Sequence, residues 1–521
     1  MNSTPNPAQA AGRFDGPMLI FDDELCEDWY ERLSSPRPGS LGPLQQIRTF
    51  GLLALLIAGL NFYAPAEPGF TVRIFASLIV ATAALPVWLW NAGFDRTFPL
   101  MPFLSALYAL IFAVPVFLLH RYSTGGFSAT IGPQYIAQAL EYVWLGMLSM
   151  LAGYYGPLHS VFAPVMPRFK LRWRDSRSVR MAAILFSTVG LVVSILGARV
   201  PVAFVQLWGY FANLSLAGIV MLFMLELTGR LDRVMILLLW IVIIPAQPLA
   251  GLAGGALGGA AALCLLLLVA YASVAHRIPW TLIAAGALAG LILRAVETPY
   301  RIAAWSGPLR EAGRVEKLEY FGKLVYRATI GGAVAPEELI EAGSERLAMF
   351  PLFAEVIRDT PSHVPYWGGA TYYPIVFKLV PRLLYPDKPE EVTGQQFGHR
   401  YGFIEPGNSG TSVNLPQIVE MYANFGLPGV LIGMFLAGLL LRLIVSVFVH
   451  PEMGMGAAVA MILLAVLTFD IGSAASMVLG AVPWLLIFIA AVHLLVCIVE
   501  SERRWQSFEM ASLPGPAESG R

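Results

Sequence analysis

The sequence predicts an all-α protein that crosses a membrane many times. Of its 521 residues, 57% are hydrophobic and only 13% are charged, whereas a soluble domain usually carries about 25% charged residues. Apolar runs of roughly 20 residues, the length that spans a bilayer, recur along most of the chain. The formal net charge is zero, so no electrostatic argument for nucleic-acid binding exists. The spacing of the three cysteines indicates neither a metal site nor a disulfide framework.

About twelve segments meet the length criterion for a membrane span. They cover residues 46–64, 70–91, 99–119, 135–156, 181–198, 202–226, 234–250, 254–275, 279–296, 427–446, 455–472 and 477–499. The Gly-rich stretch 248–262 joins two of these segments, so their shared boundary is the least defined.

Basic residues predict which side of the membrane each short loop faces. The 157–180 loop carries six arginines and lysines against one acid, Asp175. Because positive charge is enriched in cytoplasmic loops, this loop is predicted to be cytoplasmic. The loop with Arg230 and Arg233 and the C-terminal tail then fall on the same side. These assignments agree only with an even number of spans, which favours twelve spans and two cytoplasmic termini.

The predicted organisation has five parts. They are a cytoplasmic tail (1–45), nine membrane helices (46–296), a large periplasmic loop (297–412), a short or re-entrant helix with three membrane helices (413–499) and a cytoplasmic tail (500–521). Within the large loop, called the insert below, apolar spacing in 308–327 and 336–358 predicts amphipathic helices.

Charged residues in the outer half of the spans are candidates for function, because charge in a bilayer is costly. Glu141 lies less than two turns inside the fourth span, Arg294 lies near the end of the ninth, and Asp470 ends the eleventh. With other charges at the same boundary, they predict a polar cavity that opens outward and sideways to lipid. Pairing between Arg294 and a carboxylate is the alternative, structural interpretation.

Two motifs stand out in the second half of the insert and just after it. The first is VPRLLYPDKP at 380–389, and the second is TSVNLPQIVEMYANFGLPGVLIGMFLAGLLLRLI at 411–444. They resemble the Wzy-like bacterial polysaccharide polymerases of the O-antigen polymerase/ligase superfamily. The resemblance covers about 340–446 in detail and elsewhere only the layout of many spans with one large outer loop. Arg358 and Gly369 also match an Arg-x10-Gly pattern of some members, although the second large outer loop of some polymerases is missing here.

The resemblance implies a fold and an activity. The fold would be similar to membrane glycosyltransferases of the GT-C type, placed in the bacterial inner membrane. An undecaprenyl-diphosphate-linked oligosaccharide would donate its glycan to another lipid-linked repeat unit, and undecaprenyl diphosphate would leave. The product would be O-antigen or exopolysaccharide. No metal, nucleotide or other cofactor is expected, and a chain-length co-polymerase is a possible partner in the bilayer.

Given that activity, the cations of the insert are candidates for holding the diphosphate, because fixed positive charge stabilises the leaving group. Arginine suits this role since its planar fork binds phosphate oxygens in pairs. Arg382 is the predicted catalytic cation, and Lys378, Lys388 and Arg400 are predicted to bind substrate with Arg358. The alternative is that these residues contact lipid head groups or pair with neighbouring acids such as Glu391.

The acceptor hydroxyl has to lose a proton, and a carboxylate or histidine within reach would accept it. Glu420 is the first candidate, because its helix precedes a span, and His399 is the second. Asn414 and Tyr422 lie in the part predicted to meet the acceptor. A structural carboxylate bonded to Asn424 is the alternative for Glu420, and the departing phosphate itself can take the proton.

Three other functions remain open from sequence. A ligase of the same superfamily would transfer finished glycan to another acceptor. A transporter or flippase of lipid-linked sugars would show inverted repeats and broken helices at mid-membrane. A structural partner of a synthesis complex would lack catalysis altogether.

Overall fold

In the part of the chain that it describes, the computed structural model contains helices joined by loops, and no strands. That part comprises residues 29–30, 43–64, 69–95, 98–119, 131–196, 205–253, 258–331, 336–378, 380, 385, 387 and 391–512.

Seventeen α-helices of five or more residues are numbered here in chain order within those ranges. They are α1 (Pro43–Tyr63), α2 (Phe70–Asn91), α3 (Leu100–Leu118), α4 (Pro133–Tyr155), α5 (Ser176–Leu196), α6 (Val205–Leu227), α7 (Arg233–Leu252), α8 (Gly258–Ala275), α9 (Trp280–Arg301), α10 (Arg314–Ala328), α11 (Pro336–Leu347), α12 (Phe350–Asp359), α13 (Pro374–Lys378), α14 (Thr393–Arg400), α15 (Gln417–Phe448), α16 (Met455–Phe469) and α17 (Ala475–Ser512). Helices α3 and α7 each contain one π-helical turn.

Eight helices in the described chain are long and apolar enough to cross a membrane: α1, α2, α3, α4, α5, α7, α15 and α17. Shorter apolar segments lie in α6, α8, α9 and α16. The protein is therefore a multi-pass helical membrane protein, as predicted. Each of the twelve predicted spans overlaps one of these twelve helices, while the count of twelve crossings itself stays a prediction.

Glycines allow the central helices to pack with their backbones in contact. A Cβ atom at Gly153 of α4 would overlap the carbonyl oxygen of Phe435 in α15, and one at Gly438 would overlap that of Met150. Small residues permit this close approach between helices in membranes. The α4–α15 pair is consequently tightly packed, and the insert rests on it.

Ion pairs tie several polar segments together at one end of the bundle. Arg503 of α17 contacts Asp175 at 2.8 Å, and Arg180 contacts Asp232 at 3.5 Å. Lys170 pairs with Glu452, between α15 and α16, at 2.6 Å. The 157–180 loop, the 228–233 loop and the end of α17 thus share one end, which agrees with their common assignment to one side of the membrane.

The insert begins with the predicted amphipathic helices, now α10, α11 and α12. Phe321 of α10 is buried and its ring packs edge-on against Tyr300 of α9, with the ring centroids 5.1 Å apart. Helix α12 packs against α4 and α15, so its apolar residues join the main core. The insert is therefore anchored on the membrane helices.

Helix α15 is broken near its start. Gly426 has φ 66° and ψ −155°, a backbone conformation outside the helical region, and Pro428 follows two residues later. A side chain is strained in this conformation. The break separates the short helical segment that carries Glu420 from the long apolar part of α15.

Candidate functional site

Glu420, in the first turn of α15, is a fully buried carboxylate that lies beside the start of the last helix, α17. Its Oε2 accepts a 2.6 Å hydrogen bond from the backbone N–H of Ala475, the first residue of α17. The N-terminus of a helix favours negative charge because its N–H groups lack helical partners. Oε1 is also buried and has no hydrogen-bond partner by geometry within the described chain, while the Thr371 hydroxyl lies close enough to the carboxylate to stabilise its charge. One oxygen is therefore anchored, and the other is closed off from solvent in this conformation.

Asn424, one turn after Glu420, attaches the insert to this short helix. Its amide Nδ2 donates to the Glu420 backbone carbonyl at 2.8 Å and to the Thr371 hydroxyl at 2.7 Å. Its Oδ1 accepts from the Gly369 N–H at 2.8 Å. The predicted alternative partner of Asn424 was the Glu420 carboxylate, whereas the structure shows a bond to the backbone. Asn424 therefore orients the helix without occupying the carboxylate.

Lys378 and Glu391 form an ion pair beside Glu420. The Lys378 Nζ lies 2.6 Å from the Glu391 Oε2. The other oxygen, Oε1, accepts from the hydroxyls of Thr393 at 2.6 Å and Ser476 at 2.8 Å. Burial works to raise the pKa of Glu391, but these three partners outweigh burial and hold the pKa below its usual value. Ser476 follows Ala475 directly, so α17 begins between the two carboxylates.

Tyr422 contributes to the aromatic packing under the insert. Its ring lies 5.6 Å from those of Tyr142 in α4 and Phe353 in α12, measured between centroids. Its hydroxyl donates a long, 3.4 Å hydrogen bond to the Thr360 carbonyl. Tyr422 is buried, so in this conformation it supports the site and does not face solvent.

Two arginines that were predicted to bind phosphate already contact other residues of the protein. The Arg400 guanidinium lies over the Trp367 ring, 4.2 Å from its centroid, and donates to the Pro365 carbonyl at 2.6 Å. Arg358 forms two hydrogen bonds to Asp359, at 2.9 and 3.0 Å. Phosphate binding by either residue would require exchange of these contacts.

The other predicted residues take several positions. Glu141 and His399 are half-buried, and neither side chain forms a hydrogen bond within the described part of the chain. Asp470 is exposed and accepts a 2.9 Å hydrogen bond from Ser473, while Asn414 is exposed near Gly472. Arg294 lies on α9 with a side chain outside the described residues, and Arg382 and Lys388 lie outside them altogether.

The structure thus brings Glu420 and Lys378 together. It also pairs Lys378 with Glu391, which is the alternative that the sequence left open for the cations of the insert. Thr371, Thr393 and Ser476 are further residues of the site that sequence reasoning had not assigned. Thr393 and Ser476 sit at the starts of α14 and α17, a position where hydroxyl residues are common for local reasons. Only the tertiary fold reveals that they share one carboxylate, so no sequence signal was available for them. We call Lys378, Glu391, Glu420 and Asn424 the junction cluster.

A family model described as "Domain of unknown function (DUF8712)" matches residues 119–499. The matched range includes the whole junction cluster and the helices that position it. Comparisons with curated proteins and with solved structures gave no match.

Proposed function

The chain belongs to the DUF8712 family, and we propose that it is a glycosyltransferase that polymerises lipid-linked oligosaccharides at the outer face of the bacterial inner membrane. The donor is an undecaprenyl-diphosphate-linked repeat unit, and the acceptor is the non-reducing end of another. The proposal includes twelve spans in a GT-C-like arrangement, cytoplasmic termini and a periplasmic insert.

One observation carries this proposal. A carboxylate with one unbonded oxygen, Glu420, and an ammonium–carboxylate pair, Lys378–Glu391, flank the first residues of an apolar helix. A lipid-linked substrate presents its diphosphate at the membrane surface, and its sugar chain extends into water. A proton acceptor and a cation at the start of an apolar helix match these two requirements.

The proposed reaction is a single displacement at the anomeric carbon. An acceptor hydroxyl oxygen forms a bond to that carbon, and the bond from the carbon to the diphosphate oxygen breaks. Undecaprenyl diphosphate leaves with the electron pair, stabilised by Arg382 and Lys388, and by Lys378 once its contact with Glu391 has been exchanged for the diphosphate. The hydroxyl proton passes to Glu420, with His399 as the alternative acceptor, and then to solvent.

Substrate binding has to open the site, because Glu420 is fully buried in this conformation. The neighbouring insert segment is attached to the helix of Glu420 through the bonds of Asn424 to Gly369 and Thr371. Gly368 and Gly369 have positive φ angles, 58° and 92°, so they form a turn that favours glycine. Movement of this turn would expose the Glu420 carboxylate without disturbing α15 below Gly426.

A reconstituted assay tests the proposal. The purified protein in liposomes is supplied with undecaprenyl-diphosphate oligosaccharide, and chain length is followed by gel analysis. We expect elongation by the native protein and loss of at least about 100-fold in rate with Glu420→Gln, the usual scale for removing a general base. Glu405→Gln, an exposed acid of the insert, is the matched control and should elongate normally.

The same system distinguishes the other functions. Movement of the substrate across the bilayer without elongation would indicate a flippase. In cells, deletion of a polymerase leaves single-repeat surface glycan, whereas deletion of a ligase leaves long lipid-linked chains. Normal elongation by both Glu420→Gln and Arg382→Ala would refute the assigned catalytic roles.

A further inference from the structure

The short helix α13 belongs to the insert by sequence but packs against a membrane helix. The indole N–H of Trp484 in α17 donates a 2.8 Å hydrogen bond to the Lys378 carbonyl. The aliphatic part of Lys378 lies against Gly480, where a Cβ atom would collide with it. Helix α13 therefore lies alongside α17 at the level of residues 480–484.

The opposite end of α17 indicates the depth of residues 480–484 in the bilayer. Glu500 accepts hydrogen bonds from the backbone N–H groups of Arg174 and Asp175, and Arg503 pairs with Asp175, so the helix leaves the apolar region there. A hydrocarbon core of about 30 Å corresponds to about 20 helical residues. Counted back from Glu500, the opposite boundary of the core falls near Gly480, and Trp484 lies about 6 Å inside it.

Helix α15 places the same part of the insert at the same depth. Its long apolar part begins after the break at Gly426. Phe425, just before the break, is 50% exposed and its ring stacks on Tyr372, with 6.4 Å between centroids. Ile432 and Leu436, further along α15, are exposed apolar residues of the lipid-facing surface. Phe425 and Tyr372 therefore lie at the upper edge of that surface.

The free face of this segment is apolar. Tyr373 is 67% exposed and Val376 is 63% exposed. The Lys378 ammonium, the only formal charge in residues 372–378, is paired with Glu391. Exposed aromatic and aliphatic groups with a neutralised charge are suited to the region between lipid head groups and acyl chains, where Tyr and Trp are enriched.

We propose that residues 372–378, together with Phe425, form a membrane-inserted surface that contacts the acyl chains of the leaflet on the insert side. Tyr373 and Val376 penetrate below the head groups, and Trp484 fixes the segment from the protein side. The Lys378 ammonium is joined through Glu391 to Ser476, four residues before Gly480 on α17, so it is held outside the hydrocarbon boundary, toward the lipid phosphates. The proposal concerns the position of the segment in the bilayer and stands independently of the catalytic function.

Site-directed spin labelling measures this position. In a background with Cys26, Cys264 and Cys497 replaced by alanine, a nitroxide is attached to Val376→Cys in liposomes of phosphatidylglycerol and phosphatidylethanolamine. We expect the label to collide more often with oxygen, which concentrates in the acyl region, than with a water-soluble nickel chelate. Ile432→Cys is the lipid-facing reference, and Asn408→Cys, in an exposed loop, is the aqueous reference.

A label at Tyr373→Cys provides an independent second position. The oxygen-to-nickel ratio at both positions should lie closer to that of Ile432 than to that of Asn408. Ratios at positions 373 and 376 equal to that of Asn408 would overturn the proposal. Size-exclusion profiles identical to that of the cysteine-free protein establish that each labelled variant is folded.

Discussion

The Lys378 ammonium and the Glu391 carboxylate lie 2.6 Å apart and connect two parts of the insert to the start of α17. The side chains are 21% and 15% exposed, so the pair is partly desolvated. Lys378 belongs to α13, and Glu391 reaches α17 through Ser476. This pair therefore adds a polar contact to the packing that holds the insert on the membrane helices.

Removal of Glu391 should destabilise the protein. We expect Glu391→Gln to lower the free energy of unfolding by about 1–3 kcal/mol, between the values for exposed and buried ion pairs, because Lys378 is left without its counter-charge. Reversible unfolding in mixed micelles with sodium dodecyl sulfate measures the change. Lys378→Met in the same background should restore part of the loss, with a coupling energy of at least about 0.5 kcal/mol.

The exposed pair Lys323–Glu319 on α10 is the matched control. Glu319→Gln should leave the unfolding midpoint unchanged, because solvent screens both partners. Additive effects of the Lys378 and Glu391 substitutions would contradict an energetic role for their pair.

The contribution of Glu391 should depend on pH with a defined sign. Because its pKa in the folded protein is lower than the ordinary value of 4.5, its stabilising effect is fully present above the unfolded-state value and is lost as pH falls through the folded-state pKa. The difference in thermal midpoint between native protein and Glu391→Gln should stay constant from about pH 8 to about pH 6 and shrink below about pH 4.5. A difference that widens on acidification would contradict the assigned pKa direction.

Glu355 in α12 should show the opposite trend. It is buried with Oε1 unbonded within the described chain, and burial raises its pKa while Arg358 works against the rise. Stability from this residue is present at low pH and declines as pH rises between the unfolded and folded pKa values. The thermal midpoint of Glu355→Gln should therefore increase relative to that of the native protein as pH rises from about 4 to neutrality. A constant difference over that range would argue against the raised pKa.

Gly426 should not tolerate a side chain. Its φ of 66° is unfavourable for other residues, and a Cβ atom would lie 2.9 Å from the Tyr366 hydroxyl. We expect Gly426→Ala to cost about 1–3 kcal/mol, measured by the same unfolding assay. Gly407→Ala is the control, since nothing lies within 4 Å of a Cβ there and its φ is not in the positive range. Equal stability of the two variants would show that the break does not depend on glycine.

Asn424 should be important for docking of the insert. Alanine at this position removes three hydrogen bonds and leaves the Gly369 N–H and the Thr371 hydroxyl without that partner. The expected cost is about 2–3 kcal/mol, because buried polar groups lose their partners. Limited proteolysis should cut the 366–373 segment faster in Asn424→Ala than in Asn408→Ala, a change in an exposed loop. Equal cleavage rates would exclude Asn424 as the attachment point.

The helical architecture was predictable because it follows from local patterns. Apolar runs indicated each membrane helix, and the helical spacing of apolar residues in 308–327 and 336–358 indicated α10, α11 and α12, the last two of which were predicted as one segment. The sequence Gly426-Leu427-Pro428-Gly429 marked the start of the long apolar part of α15. The relative sidedness of the 157–180 loop and the end of α17 was also accessible, since it depends only on charge and the number of spans.

The candidate site was predictable only in part, because it depends on contacts between distant residues. Glu420 and Lys378 were identified from residue type and position. Pairing of Lys378 with Glu391 was one of the alternatives, but the contacts with α17 were not predictable, since Ser476 lies 85 residues from Glu391, and Trp484 lies 106 from Lys378. The stacking of Arg400 on Trp367 likewise leaves no local pattern. The sequence therefore predicted that Arg400 was available to bind phosphate, whereas the structure shows it in contact with Trp367.

Gly153 and Gly438 bring the backbones of α4 and α15 together with no side chain between them. Two helices in such contact slide or separate only at the cost of many close interactions at once. We therefore expect this pair of helices to stay together when a substrate enters, and the opening that exposes Glu420 to take place at Gly426 and in the insert.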